Sequence, residues 1–129
     1  MTVRALVIDD SRVMRRIVTG ILEDLGYEVQ QAGHGREGLD VLDGGWVPEL
    51  VCVDWNMPVM DGLQFVSAVR ANPAYRSMTI MMVTSESEHT QIVRALAAGA
   101  HEYVIKPFTA DALRDKLALL GLLPQEVVL

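Results

Sequence analysis

Cysteine occurs once in this 129-residue chain, at Cys52. A single thiol makes neither an internal disulfide nor a cysteine-rich zinc site, and it suits a reducing compartment. Basic residues are outnumbered: 11 Lys and Arg face 17 Asp and Glu, for a net charge of −6. That balance argues against a nucleic-acid binder that relies on a basic face. Long apolar runs are missing as well. The longest are strand-sized, such as Leu50 to Val53 and Ile80 to Val83, far from the ~20 residues that span a bilayer. The opening residues carry Arg4 and then Asp9 and Asp10, which is not a secretory signal pattern. A disordered chain is excluded too, because 50% of residues are hydrophobic and 22% charged. What remains is an acidic chain of ordinary single-domain size, expected to be cytoplasmic and to fold without a disulfide or metal staple. It reads as one domain over 1–129, with 124–129 a tail.

Short apolar runs alternate with helix-period segments five times. Val3 to Ile8 reads as a buried strand, and Ser11 then caps a helix. The apolar positions of that helix are Val13, Met14, Ile17, Val18, Ile21, Leu22 and Leu25, spaced for one face. Gly26 stops it. Tyr27 to Ala32 mixes polar and apolar residues as an edge strand does, and a short helix follows around Gly35 to Leu42. Leu50 to Asp54 is the third strand; Cys52 within it reads as a small buried hydrophobe. Asp61-Gly62 opens a helix with Leu63, Phe65, Val66 and Val69, ended by Asn72-Pro73. Met78 to Val83 is the fourth strand, and the helix after it carries Ile92, Val93, Leu96 and Ala97. Tyr103 to Ile105 is the fifth strand, and Thr109 caps a last helix with Leu113, Leu117 and Leu120. Strands that are apolar throughout, alternating with helices, imply a parallel sheet covered on both faces. Right-handed crossovers leave few windings. The expected fold is α/β: a doubly wound, five-stranded parallel sheet in order 2-1-3-4-5 with five helices, flavodoxin-like.

In such sheets ligands bind beyond the carboxyl ends of the strands, where strand order reverses. Here that point lies between strands 1 and 3. Strand 1 ends in Asp9-Asp10, strand 3 in Asp54, strand 4 in Thr84-Ser85 and strand 5 in Lys106-Pro107. Three carboxylates, hydroxyls and one ammonium therefore meet at one rim. A like-charge pair ~4 Å apart costs roughly 4 kcal/mol at an effective dielectric of 20, so proton uptake or a cation must compensate. Lys106 supplies one positive charge. An all-oxygen donor set with no His or Cys cluster favours Mg²⁺, Mn²⁺ or Ca²⁺ over zinc. Such a half-built site suits phosphoryl transfer, with one carboxylate as nucleophile. Asp54 is the better candidate because it stands alone on the central strand; Asp9 and Asp10 are placed to hold the metal.

Four motifs carry a resemblance to the receiver domain of two-component response regulators. They are Ile8-Asp9-Asp10-Ser11, the run Asp54-Trp55-Asn56-Met57-Pro58-Val59-Met60-Asp61-Gly62, Val83-Thr84-Ser85 and Lys106-Pro107-Phe108. Each alone is weak; all four in order at these spacings are highly specific. The Asp-Trp-Asn-Met-Pro run and Met14-Arg15-Arg16-Ile17 are most similar to the stand-alone chemotaxis branch. That branch is itself among the proteins that define the 2-1-3-4-5 order, so the two readings are not independent. The resemblance implies that Asp54 accepts a phosphoryl group from a histidine kinase. It implies that Asp10, Asp54 and the Asn56 backbone carbonyl bind Mg²⁺, with Asp9 acting mainly through water. Lys106 would pair with the phosphoryl group and Thr84 hydrogen-bond it, with Ser85 fitting where a small residue is usual. Tyr103 would be the aromatic switch, and the Lys106–Pro107 bond would be cis. The output would be a partner protein bound at the face of helix 4, strand 5 and helix 5, with Gln91, Arg94, Ala95, His101 and Lys116 as exposed members. The protein would be a monomeric switch, without nucleic acid or membrane insertion, and not an enzyme beyond its own phosphorylation and hydrolysis.

Blander readings stand beside these. An Asp-Asp pair after a strand is commonly a turn, Thr84 alone a cap, Tyr103 alone plain core, and Lys106 alone a solvated charge. Glu86, Glu88 and His89 read as a solvated loop and helix start, and Arg12, Arg15 and Arg16 as a solvated face. Trp46 and Trp55 read as surface or rim aromatics, while His34, His89 and His101 are too dispersed to share a metal. Other functions also compete. An aspartate-nucleophile phosphatase would want Asp-x-Asp after strand 1. A flavin carrier would want a hydroxyl- and glycine-rich loop there, where this chain has two carboxylates. A phosphorylation-independent interaction module would not need the full set of site residues. The Val127-Val128-Leu129 end would fray or pack.

Overall fold

Leu50–Val53 form strand β3, four consecutive buried residues, and everything else in the computed structural model is arranged around them. The structure describes residues 3–85 and 89–124; Glu86, Glu88 and most of the 124–129 tail fall outside. In chain order the elements are β1 (Val3–Ile8), α1 (Arg12–Asp24), β2 (Tyr27–Ala32), α2 (Gly35–Asp43), β3, α3 (Gly62–Arg70), β4 (Thr79–Thr84), α4 (His89–Ala98), β5 (Glu102–Ile105) and α5 (Ala110–Leu119), with a 3₁₀ turn at Pro73–Tyr75. The strands form one parallel sheet in the order β2-β1-β3-β4-β5, as the alternation predicts. β2 is an edge strand, which accounts for its polar residues.

Successive residues of a strand point to opposite faces, and the core divides accordingly. Leu6, Ile8, Val51, Val53, Ile80 and Met82 pack on one face with Phe65, Val66 and Val69 of α3. Ala5, Val7, Leu50, Cys52, Met81 and Val83 pack on the other with Val18 and Leu22 of α1 and Leu113 and Leu117 of α5. Burial pushes the Cys52 thiol up to about 12, which leaves it an inert hydrophobe.

The helix starts follow from local chemistry. Ser11, His34, Asp61 and Thr109 each accept a backbone N–H in the first turn of the next helix, and Asp61 with Gln64 completes a capping box. Helix faces differ from the sequence reading in two places. On α1, Val13 is 67% and Ile17 47% exposed. On α4, Val93 and Leu96 are exposed while Ala95 is fully buried, so Ala95 is not on the expected docking face. A helix laid flat on a sheet buries a narrower stripe than its apolar positions span. No helix among the described residues is long and apolar enough to cross a membrane.

Candidate phosphoacceptor and cation site

Strand register begins the assembly of the site. Ile8 lies opposite Val53, so the next residue on each strand, Asp9 and Asp54, emerge side by side. Their backbone N–H groups extend the ladder, Asp9 to the Ala32 carbonyl at 3.1 Å and Asp54 to the Ile8 carbonyl at 3.0 Å. Both are buried, whereas Asp10 is exposed. The three carboxylates present oxygens that all lie within 4.8 Å of one another. Asp10 thus opens the cluster to solvent, and Asp9 and Asp54 form its floor.

Lys106 enters from the far side of the sheet. Its N–H donates to the Thr84 carbonyl at 2.9 Å, and the Lys106–Pro107 peptide is cis. Its Nζ lies 2.8 Å from Asp9 Oδ2 and 3.4 Å from Asp54 Oδ2. One ammonium between two buried carboxylates compensates one charge and leaves the cluster acidic. A hard divalent cation fits the all-oxygen donors that remain. Asp9 has little to spare for it, because its Oδ1 also accepts the Ser11 N–H at 2.9 Å. Asp54 Oδ1 accepts the N–H of Trp55 at 2.7 Å, so the central carboxylate is held by its own loop and by Lys106.

The β3–α3 loop is built tightly against this centre. A Cβ on Gly62 would stand 2.1 Å from the Asp54 carbonyl oxygen, and the Gly62 N–H donates to the Trp55 carbonyl at 2.8 Å. Only glycine lets α3 start that close. Val59 has φ 69°, a left-handed conformation costly for a β-branched residue, in the segment that also carries exposed Asn56. Thr84 is wholly buried at the end of β4. Tyr103 is 7% exposed and packs with the α3-side core, so its ring is inward in the structure. It lines a groove of about 570 Å³ with Ile105, Phe108 and Lys116.

One aromatic and one basic assignment are corrected. Trp55 is buried, not a rim residue, with the Arg94 guanidinium 5.8 Å from its ring centroid; Trp46 is half-buried under Arg4. Arg15 is half-buried rather than part of a solvated face, and its Nη1 donates to the Asp9 carbonyl at 2.5 Å. The signal for it was present: α1 has no acidic residue in its first turn and three arginines near it, against the helix dipole. Arg70 and His101 form a second polar cluster, which spacing in the sequence does not reveal.

A family model described as the response regulator receiver domain matches residues 5–118. The chemotaxis protein CheY1 of Helicobacter pylori is 43% identical over 115 residues, covering 88% of this chain and 93% of its own. The chemotaxis protein CheY homolog of Campylobacter jejuni is 44% identical over 115 residues, 88% of each chain. Among solved structures, chemotaxis protein CheY4 of Vibrio cholerae superposes with a TM-score of 0.86 at 35% identity, covering 92% of this chain and 98% of the other.

Proposed function

The chain belongs to the response regulator receiver domain family, and on that premise we propose that it is a Mg²⁺-dependent phosphorylation switch with Asp54 as acceptor. The observation that carries the reading is the pairing, beyond the carboxyl ends of the strands, of a buried, Lys106-paired Asp54 with an open acidic cluster. A histidine kinase is the proposed donor. An oxygen of Asp54 forms the new bond to phosphorus as the bond from phosphorus to the donor imidazole nitrogen breaks. The electron pair stays on the imidazole, and the product is an acyl phosphate. When bound, Mg²⁺ supplies charge neutralisation for the transferring oxygens. Asp10, Asp54 and the Asn56 carbonyl are the proposed direct ligands. Lys106 Nζ lies closer to Asp9 Oδ2, at 2.8 Å, than to Asp54 Oδ2, at 3.4 Å, which supports an indirect role for Asp9 through water and leaves Asp54 the freer of the two. Lys106 pairs with the incoming phosphoryl group, and Thr84 donates its hydroxyl to it.

The output is proposed to leave through Tyr103 and the α4–β5–α5 face, to a partner protein. Gln91, Arg94, His101 and Lys116 are accessible there, and Val93, Leu96 and Ile105 give it apolar area. We take residues 1–129 as one monomeric, cytoplasmic receiver without enzymatic turnover of a separate substrate. Acetyl phosphate with Mg²⁺, followed by intact-mass spectrometry, tests the reading. The wild type is expected to gain one phosphoryl group, lost on chelation of Mg²⁺ before donor addition and lost in Asp54→Asn. Equal gain without Mg²⁺, or in Asp54→Asn, overturns it.

A further inference from the structure

We propose that Arg15 is a positioning residue for the acidic cluster, pinning the Asp9–Asp10 peptide so that the Asp10 carboxylate is held ready for a cation. The inference rests on the metal reading above and extends it to a side chain that touches neither metal nor phosphoryl group. The Asp9 carbonyl lies past the end of β1 and takes the Arg15 Nη1 at 2.5 Å, a charge-assisted bond. A peptide is planar, so fixing that oxygen also fixes the Asp10 nitrogen and Cα, the point from which the Asp10 side chain departs. The Asp9 carboxylate is locked separately, by the Ser11 N–H and Lys106. Asp10 is exposed, so its backbone is what aims it.

The placement of Arg15 runs against helix electrostatics. It sits near the positive end of α1, which has no acidic residue in its first turn. The guanidinium is nevertheless held in, half-buried against the β2–α2 loop, where a Cβ on Gly33 would lie 3.7 Å from Nη1. A cation beside a cation site is electrostatically adverse, and positioning is what it returns.

These two effects have opposite signs, which makes the test sharp. If Arg15 acted only as a charge, Arg15→Ala would bind Mg²⁺ more tightly. As a positioning residue its loss weakens binding about tenfold, the lower end for outer groups that orient metal ligands. Mg²⁺ titrations of the wild type, Arg15→Ala, Arg15→Lys and Arg15→Gln are followed by NMR on the Asp10 and Trp55 amides. Arg15→Lys, which keeps charge and a donor, is expected to fall between wild type and alanine. Hydrogen exchange of the Asp10 amide in metal-free protein should rise in Arg15→Ala, a change that requires no metal. Affinity equal to or tighter than wild type in Arg15→Ala and Arg15→Gln overturns the inference alone. A wild type that binds no Mg²⁺ overturns the metal reading and this inference together.

Discussion

Arg70 ends α3 and donates to the carbonyls of Met78 at 2.8 Å, Gly99 at 3.0 Å and Arg76 at 3.2 Å. It also approaches His101 Nδ1 at 3.2 Å, the same nitrogen that accepts the Ile80 N–H at 3.1 Å. Two donors aimed at Nδ1 require a neutral ring with its proton on Nε2. Burial first, and then the Arg70 charge, lower the His101 pKa. The folded state therefore takes up a proton less readily than the unfolded chain. The stability His101 contributes is whole above its unfolded value of about 6.5. It declines as pH falls below that, down through the lowered folded value. Urea midpoints at pH 7.5 and pH 5 are expected to fall more steeply for the wild type than for His101→Asn, whose amide oxygen replaces the Nδ1 acceptor without titrating. Equal slopes would remove His101 as the cause. Nothing in the residue order marks this cluster. His101 and Arg70 are 31 positions apart, and only the docking of the α4–β5 loop on the end of α3 joins them.

At the scale of elements, the helices are attached unequally. α3 buries Gly62, Phe65, Val66 and Val69, whereas α4 buries only Ala95 completely. Few buried apolar contacts mean low local stability. Amides of α4 are expected to exchange with solvent at least tenfold faster than those of α3 in the unmodified protein; comparable protection would contradict the burial argument. The elements themselves were legible in the sequence. Caps at Ser11, Asp61 and Thr109, glycine after α1, the apolar runs of β1, β3 and β4 and the mixed pattern of the β2 edge place most strands and helices to within a residue or two. The acidic rim was legible for the same reason, because strand ends in a parallel sheet converge. What could not be read was which part of each apolar stripe faces in. Val13, Ile17, Val93 and Leu96 fit helical spacing yet stay exposed, and Ala95 and Trp55 go inside. Docking angle decides that, and it is set by tertiary packing.

For the whole molecule, the proposed cation site would tie stability to Mg²⁺. A ligand that binds only the folded state stabilises it by mass action, about 2.7 kcal/mol at a hundred times its Kd. Saturating Mg²⁺ is expected to raise the melting temperature of the wild type and to leave Asp10→Ala unmoved; an unmoved wild type would count against the site. The more demanding claim is that the acceptor is the central buried carboxylate and not the exposed one. Borohydride reduction of the phosphorylated protein converts an acyl phosphate to an alcohol, and peptide mass spectrometry then locates it. Homoserine is expected at position 54, with unmodified aspartate at 9 and 10; homoserine at 9 or 10, with Asp54 intact, would contradict Asp54 as the acceptor.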